Sequence, residues 1–515
     1  MPNKRQVIVI GAGIGGLTAA ALLSQAGYRV IVLEAQTYAG GCAGTFAHKG
    51  YRFDAGATVA GGFQPGGPHT VVGDMLGVKW PVRRHDPAWV VHLPGIKVAL
   101  TQDNSDVTAS FPQSQAFWNE QAAIAALGWK LASTAMPWPP GSVGDALRLA
   151  RVGLAHFPED MRLILYVFST VRQWAARFGL ERDTVFNRFL DAQLLISAQT
   201  TAERVNAVWG ATALDLARQG VYHVAGGMGG LADTLVECVR ASGGEVLYRR
   251  PVSRLAVDGG RVTGVYAREG QRGRAEAFFP ADFVVANLTP WSLDALLGTS
   301  SPVRLRREAA ARPLGWGAFV LHLGVKADML PDDLPDHHQI IDSLDGPLGE
   351  THSVFVSISP TWDISRAPRG YRAVTVTTHT AVQPWWDALQ RDPETYETRK
   401  AEYAAKMLDS IERALPGFRR AVCLMLPGTP LTYNHYTGRH LGMVGGFPVT
   451  SLFGVRGPRT GIVNLRLVGD SIFPGQSTAG VTLGALRVAR EVQRILPLKR
   501  ARLLATAPIT GSTRP

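Results

Sequence analysis

The chain has few cysteines and no long apolar run, and each shortage excludes a class of protein. Its 515 residues include three cysteines, Cys42, Cys238 and Cys423, which lie far apart. They support neither a disulfide framework nor a metal site, and they favour a reducing compartment. No stretch approaches the roughly 20 apolar residues that span a bilayer. The apolar run from Val7 is too short for a secretory signal and leads into a glycine loop. We therefore expect a cytoplasmic protein that is soluble or peripherally attached to a membrane.

Charged residues and metal-binding or hydrolytic motifs are also scarce. Charged residues make up 18% of the chain and apolar residues 46%, which is typical of a globular protein. The 13 histidines form no ligand-spaced cluster, and no Gly-x-Ser-x-Gly elbow is present, so neither a metal nor hydrolase chemistry is expected. The net charge of +12 is not accompanied by a nucleic-acid-binding motif. Two explanations of the excess of basic residues remain: general solubility, and attraction to an anionic membrane surface.

The first 34 residues carry the pattern of a dinucleotide-binding unit. Residues 6–10 (QVIVI) are a continuous apolar run, residues 17–27 have helical spacing, and residues 29–33 (RVIVL) are a second apolar run. In the glycine loop between run and helix, glycines permit a tight turn and a close approach of the backbone to a pyrophosphate. The pyrophosphate then lies at the helix N-terminus. The loop residues predicted to bind the cofactor are Gly11, Ala12, Gly13, Ile14, Gly15 and Gly16.

An acidic residue and a second glycine stretch follow this unit. Glu34 ends the second run, where a carboxylate accepts hydrogen bonds from the adenosine ribose and disfavours the 2′-phosphate of NADP. The stretch EAQTYAGG, placed after the glycine loop, resembles the extended motif of the two-dinucleotide-binding flavoproteins, which include amine oxidases and carotenoid desaturases. The resemblance implies FAD as cofactor. It adds the following candidate FAD-binding residues: Glu34, Ala35, Gly41, Cys42, Gly44, Thr45, Gly56 and Ala57.

Two later segments resemble the remaining cofactor segments of that superfamily. Residues 221–230 (VYHVAGGMGG) precede a predicted helix, a hairpin over 252–267 and an apolar strand that ends at Asn287. A short strand ends in Gly469-Asp470, and a helix follows. In the superfamily this Asp accepts a hydrogen bond from a ribityl hydroxyl, and the helix N-terminus points at the pyrimidine end of the flavin. The candidate FAD-binding residues here are Val252, Asn287, Gly469, Asp470, Gly480 and Val481.

Taken together, the segments resemble the carotenoid desaturase and isomerase family of flavoproteins. Cys42 stands where phytoene desaturases usually carry Arg, and residues 53–68 (FDAGATVAGGFQPGGP) are similar to the carotenoid C-3′,4′ desaturases. The resemblance implies an FAD-dependent desaturase of acyclic or monocyclic carotenoids, often 1′-hydroxylated, with a quinone or oxygen as electron acceptor. Two alternatives stay open: a redox-neutral cis–trans isomerase that uses reduced FAD, and a non-catalytic carrier of an apolar ligand. The sequence does not identify a catalytic base.

The predicted fold class is α/β, with a Rossmann-like FAD domain interleaved with a mixed-sheet substrate domain. We assign residues 1–75, 215–300 and 435–498 to the FAD domain and 301–434 to the substrate domain. Residues 76–214 are predicted to be a helical, membrane-docking part, and 499–515 a disordered tail. Within the helical part, residues 159–178 predict one amphipathic helix with Arg162, Arg172 and Arg177 off its apolar face. Such a helix packs in a core or lies in a membrane interface.

Overall fold

A computed structural model describes residues 5–133, 137–155, 161–270, 273 and 275–498. The strands, numbered β1 to β19 in chain order, are Gln6–Ile10, Arg29–Leu33, Thr45–His48, Tyr51–Asp54, Val82–His85, Val90–Leu93, Ile96–Ala99, Val221–Val224, Glu245–Leu247, Val252–Asp258, Arg261–Arg268, Glu276–Pro280, Phe283–Ala286, Trp316–Lys326, His337–Ile341, Ser353–Ile358, Tyr371–Ala381, Val422–Gly428 and Leu465–Leu467. The α-helices, α1 to α18, are Ile14–Gln25, Pro68–Leu76, Ser105–Ser110, Gln115–Ser133, Val143–Ala155, Met161–Val167, Val171–Ala176, Thr184–Ala198, Ala207–Leu214, Leu216–Gln219, Gly229–Ala241, Pro290–Leu297, Val303–Ala311, Gln383–Arg391, Pro393–Ala414, Phe418–Ala421, Pro430–Thr437 and Ser477–Ile495.

A parallel sheet collects the three cofactor segments into one unit. Its strand order is β19-β13-β1-β2-β9, so strands that are distant in sequence are neighbours. Helices α11 and α18 both contact α1 against this sheet. The inner strands β1, β2 and β13 are nearly continuous apolar runs, as expected of strands that are covered on both faces, and β1 is buried from Val7 to Ile10. The predicted α/β fold with a discontinuous dinucleotide-binding unit is confirmed.

A second, mixed sheet of seven strands lies beside the first. Its order is β18-β14-β17-β16-β15-β6-β7, and only the β15–β6 pair is parallel. One face, including Phe319, Leu321 and Leu323, packs against Met407 and Ile411 of α15. Residues 76–214, predicted to be helical, supply the short strands β5, β6 and β7 as well as helices. Strands of four residues leave little alternation in the sequence, which is why they were not predicted.

The single amphipathic helix predicted over residues 159–178 is wrong. Residues 159 and 160 lie outside the described part, and the rest forms two short helices, α6 and α7, separated at 168–170. Thr170 begins α7 with a capping box, since its side chain accepts from the Gln173 backbone while the Gln173 side chain accepts from the Thr170 backbone. Val171 and Ala175 are buried, whereas Ile164, Leu165 and Phe168 are exposed. The predicted apolar face is therefore divided between core and surface.

Candidate cofactor and substrate site

A cavity of about 1060 Å³ lies between the parallel sheet and the seven-stranded sheet. Its lining includes residues that directly follow the carboxyl ends of β1, β2, β13 and β19. This is the edge at which open α/β sheets bind ligands. The volume is at or above the upper end of the roughly 300–1,000 Å³ typical of one small-molecule site. The cavity is therefore large enough for a ligand of the size of a dinucleotide.

The glycine loop after β1 leaves the N-terminus of α1 open. Gly11 has φ +89°, a left-handed conformation that favours glycine, and a Cβ at Gly16 would collide with the Gly11 carbonyl oxygen. The N-cap residue of α1 is Gly13, which offers no side chain to the free backbone N–H groups, and the first turn holds no acidic residue. Free N–H groups at a helix N-terminus bind anions such as a pyrophosphate.

Asn287 connects the first and third cofactor segments. A Cβ at Gly13 would lie 2.5 Å from Asn287 Nδ2, and one at Gly469 would lie 2.5 Å from Asn287 Oδ1. The missing side chain of Gly13 thus makes room for this amide. From the sequence, the absence of a side chain at Gly13 was explained only by the close approach of a pyrophosphate.

Glu34 is held by the backbone at the edge of the cavity. Its Oε2 accepts from the Ala12 N–H at 2.7 Å, and its Oε1 accepts from the Gln36 N–H at 2.8 Å. Burial raises the pKa of the Glu34 carboxyl, and the hydrogen bonds from Gln36, Ala12 and Ala35 oppose that rise. The carboxylate lines the cavity, and its oxygens keep further lone pairs for hydroxyl donors.

Most of the predicted cofactor residues line this one cavity. Those in the lining are Gly11, Gly13, Ile14, Gly15, Glu34, Ala35, Gly41, Cys42, Gly56, Ala57, Val252, Asn287, Gly469, Asp470 and Val481. The remaining five lie beside it and support it. The Ala12 N–H donates to Glu34. The Thr45 hydroxyl donates to Asp54 Oδ1 and accepts from the Gly229 N–H at the start of α11. Gly16, Gly44 and Gly480 stand where a Cβ would collide with neighbouring atoms.

A partly buried ion pair that the sequence did not predict borders the site. Arg439 Nη1 lies 2.9 Å from Asp470 Oδ2, and Arg439 Nη2 donates to the Gly445 carbonyl at 2.8 Å. Burial lowers the pKa of Arg439, but the nearby Asp470 carboxylate and Cys42 raise it, and the net direction is upward. Burial also raises the pKa of the Cys42 thiol. The cavity therefore has a permanently charged guanidinium beside a neutral thiol.

The other half of the cavity wall is largely apolar and aromatic. Helices α4, α8 and α9 supply Trp129, Ile196 and Trp209, and the seven-stranded sheet supplies Phe355. Tyr433 also lines this part, and its hydroxyl donates to the Ala55 carbonyl at 2.7 Å. Trp385, by contrast, lies in the core beneath the seven-stranded sheet. Residue type alone does not distinguish the aromatic residues that line the cavity from those in the core.

Comparison with known proteins agrees with this geometry. The family model described as flavin containing amine oxidoreductase matches residues 14–493. The chloroplastic prolycopene isomerase of Daucus carota is 29% identical over 522 residues, covering 97% of this chain and 81% of that protein. The zeta-carotene-forming phytoene desaturase of Myxococcus xanthus is 25% identical over 555 residues, covering 99% and 98%. An oxidoreductase from Methanosarcina mazei shares the fold, with a TM-score of 0.63 and 18% identity over 94% of this chain and 99% of that one.

The family match and the geometry support one conclusion about identity. The matched region contains nearly all of the cofactor segments that meet at the cavity. The relatives include both a carotenoid desaturase and carotenoid isomerases, as the sequence resemblance predicted. The chain belongs to the flavin containing amine oxidoreductase family and is an FAD-dependent oxidoreductase.

Proposed function

We propose that the protein is a carotenoid desaturase that introduces a C=C bond at the C-3′,4′ position of an acyclic or monocyclic, 1′-hydroxylated carotenoid. One observation carries the proposal: a single cavity joins the dinucleotide-binding edge of the parallel sheet to an aromatic and apolar wall. Such a cavity suits an oxidoreductase that holds a long hydrocarbon chain next to its redox group. The Myxococcus xanthus desaturase is a full-length relative, and the similarity of residues 53–68 to C-3′,4′ desaturases supports the position of the bond.

The residues present fit FAD. Gly11, Gly13 and the open N-terminus of α1 suit the pyrophosphate, Glu34 the adenosine ribose, and Asp470 a ribityl hydroxyl. The start of α18 also lines the cavity, and its N-cap residue, Gln476, makes no capping hydrogen bond, while the Gly480 N–H donates to Ser477 Oγ at 3.1 Å. Bound FAD supplies two-electron redox chemistry. The protein supplies position, electrostatics and exclusion of water.

An isomerase is the second candidate, and a specific observation favours it. Prolycopene isomerases of Daucus carota and Arabidopsis thaliana are each 29% identical to the chain over nearly its whole length. Isomerisation moves no hydrogen out of the substrate, so it needs no terminal electron acceptor. Desaturation releases two electrons at each turnover, for which we propose a quinone or oxygen as acceptor. The carrier alternative is not kept, because the chain is an oxidoreductase.

The test is the mass of the product. Holoprotein in liposomes is supplied with a 1′-hydroxylated monocyclic carotenoid, with a quinone under nitrogen and with oxygen in a parallel sample. We expect loss of two hydrogens and absorption further to the red. In a further sample, kept under nitrogen and with its FAD reduced by dithionite, an unchanged mass with altered cis–trans geometry would make the protein an isomerase, and a gain of two hydrogens would make it a saturase. The matched control is Asp470→Asn protein, which is expected to bind FAD weakly and to give little product.

We further propose that the protein takes its substrate from an anionic membrane surface. Ile164, Leu165, Phe168 and Phe453 form an exposed apolar patch, in which the rings of Phe168 and Phe453 stack with centroids 5.6 Å apart. Among the helices that the structure describes, none has the length and hydrophobicity of a membrane span. Since α6 carries part of the patch and contacts α9, which lines the cavity, a polyene has a short path from lipid to site.

We propose that basic residues of α5 assist such docking, because two of the three arginines of residues 159–178 already have protein partners. Arg172 pairs with Asp191 at 2.7 Å, and Arg177 donates to Ser169 Oγ and lies over the Tyr166 ring. The side chain of Arg162 lies outside the described residues. Arg148 and Arg151 are exposed on α5, where Val143, Leu147 and Leu154 share another exposed apolar face. Helix α5 thus combines apolar and basic groups at the surface, as interfacial helices do.

A further inference from the structure

The sheet wall of the cavity carries a small group of polar side chains. Ser353 at the start of β16, and Thr377 and His379 on β17, all line the cavity. Phe355 pairs with Thr377 across the two strands, and Thr378 Oγ1 donates to the Ser353 carbonyl at 2.8 Å, so Ser353 lies beside the part of β17 that carries Thr377 and His379. Same-face neighbours on one strand are about 7 Å apart and adjacent strands about 4.8 Å apart. The three side chains therefore form one compact cluster.

These three side chains differ from polar neighbours that already have protein partners. Gln339 Oε1 accepts from Gln193 at 2.7 Å, and Gln339 Nε2 donates to the Ala192 carbonyl at 2.9 Å. Among the described residues, the Ser353 hydroxyl, the Thr377 hydroxyl and the His379 ring nitrogens have no hydrogen-bond partner. Polar groups in such a position gain free energy when a ligand supplies the missing partner.

The cluster is uncharged at neutral pH, which selects the chemistry of the ligand. Burial lowers the pKa of His379 to about 4, so its imidazole is neutral and has one donor and one acceptor nitrogen. Two hydroxyls and a neutral imidazole suit a hydroxyl or carbonyl oxygen, which is itself neutral. They offer no cation to a carboxylate or phosphate.

We propose that Ser353, Thr377 and His379 form a subsite that binds a hydroxyl or carbonyl oxygen carried by the apolar substrate. The proposal rests on the proposed function and deepens it, because it names the residues that separate an oxygenated polyene from a hydrocarbon. The oxygen binds at the cluster, while Phe355, Trp209 and Ile196 surround the chain beside it. A hydrocarbon in the same place leaves the polar groups without partners, and that loss opposes its binding.

Two polyenes that differ by one terminal hydroxyl test the subsite. Binding to the holoprotein is followed by quenching of tryptophan fluorescence, since Trp129 and Trp209 line the cavity. We expect the hydroxylated polyene to bind about two- to tenfold more tightly, which is the effect of one net hydrogen bond on affinity. Thr377→Val, Ser353→Ala and His379→Leu should each reduce this preference, whereas His379→Gln keeps hydrogen-bonding groups and should retain part of it. Thr375→Val is the matched control, because Thr375 lies on the same strand outside the cavity lining.

The outcomes separate the subsite from the reaction. Equal binding of the two polyenes by the wild-type protein, or variants that weaken both equally, would overturn the subsite. Variants that abolish turnover of both polyenes without changing either affinity would show a role in proton transfer in its place. A preference that the variants remove, in a protein that converts neither polyene, would leave the subsite standing and overturn the proposed reaction. Turnover by a protein that binds the two polyenes equally would overturn the subsite and leave the proposed reaction standing.

Discussion

At the scale of single residues, Asn287 shows how tightly the cofactor loop is built. Its amide occupies space that side chains at Gly13 and Gly469 would fill, so three segments distant in sequence depend on one another's shape. The residue follows β13, whose parallel pairing with β1 places it beside the glycine loop. A change at any of the three positions is therefore transmitted to the cofactor site.

Gly13→Val is expected to abolish FAD binding. The new side chain would displace Asn287 and cover the N-terminus of α1, where the pyrophosphate is proposed to lie. Purified wild-type protein should carry flavin absorption that acid releases, and the variant should lack it. Gly144→Ala is the control, because a Cβ there has only the Ser142 hydroxyl, at 3.8 Å, within reach. Normal flavin content in Gly13→Val would contradict the placement of the cofactor.

Arg439→Met is expected to weaken FAD binding by about tenfold or more and to lower the melting temperature. The change leaves the Asp470 carboxylate without its cation in a largely buried place, and such a loss is costly. Arg439→Lys keeps the charge but not the planar fork, so its effect should be smaller. Fluorescence titration of the apoprotein with FAD measures the affinity. Equal affinities in all three proteins would show that Arg439 does not position Asp470.

At the scale of elements, the seven-stranded sheet has two faces of different character. Its outer face is apolar under α15, while the inner face includes His322, paired across strands with Thr375. His322 lies against the rings of Phe46 and Phe53, with centroids 5.0 and 5.4 Å away, and its Nδ1 has no partner among the described residues. Burial lowers the pKa of His322 to about 3. The sheet therefore holds an imidazole that must stay neutral.

His322→Leu is expected to reduce the loss of stability in acid. A histidine whose folded pKa is about 3 and whose unfolded pKa is about 6.5 takes up its proton only on unfolding. Its contribution to the free energy of unfolding is therefore fully present above pH 6.5 and is lost as the pH falls towards 3. Denaturant unfolding of the holoprotein between pH 7 and pH 4 should show a shallower decline for the variant. Thr375→Val, its cross-strand neighbour, should decline as the wild type does. If the free energy of unfolding declined equally with falling pH in the wild type and in His322→Leu, the lowered pKa of His322 would be contradicted.

Elements with strong local signals could be predicted, and those that depend on distant contacts could not. The strand–loop–helix unit, the hairpin of β10 and β11, and the strands β14, β16 and β17 follow from apolar runs and turn residues. The division of residues 159–178 does not, because apolar spacing continues through Phe168 while the Thr170 cap turns the chain. The helix pattern was visible in the sequence, but the burial of each half was not.

The candidate site shows the same limit. The glycines, Glu34, Asn287 and Asp470 could be predicted because each stands at a strand end within a recognisable segment. Arg439 could not, because an isolated arginine after Gly438 has no local signal of its pairing with Asp470. Ser353 and His379 come together only through the register of β16 and β17, which the sequence does not specify. Residues that meet through sheet register are the ones that sequence analysis misses.

At the scale of the whole molecule, the apolar patch makes membrane attachment testable. Leu165→Glu together with Phe168→Glu should weaken sedimentation with anionic vesicles by about tenfold or more, since two apolar side chains no longer enter the interface. Ile364→Glu is the charge control, because Ile364 is 87% exposed and lies outside the patch. Salt should weaken wild-type binding by screening the basic residues. Equal binding of the patch variant and the wild type would contradict the docking surface.

The central claim is that the protein removes hydrogen from a polyene held in the same cavity as its FAD. The most direct measurement is product stoichiometry under nitrogen with no added acceptor, on holoprotein given an excess of hydroxylated carotenoid. We predict at most one molecule of product, lighter by two hydrogens, per bound FAD, and renewed turnover when a quinone is added. Continued turnover to a product of unchanged mass, by a parallel sample whose FAD has first been reduced with dithionite, would contradict the account and identify an isomerase.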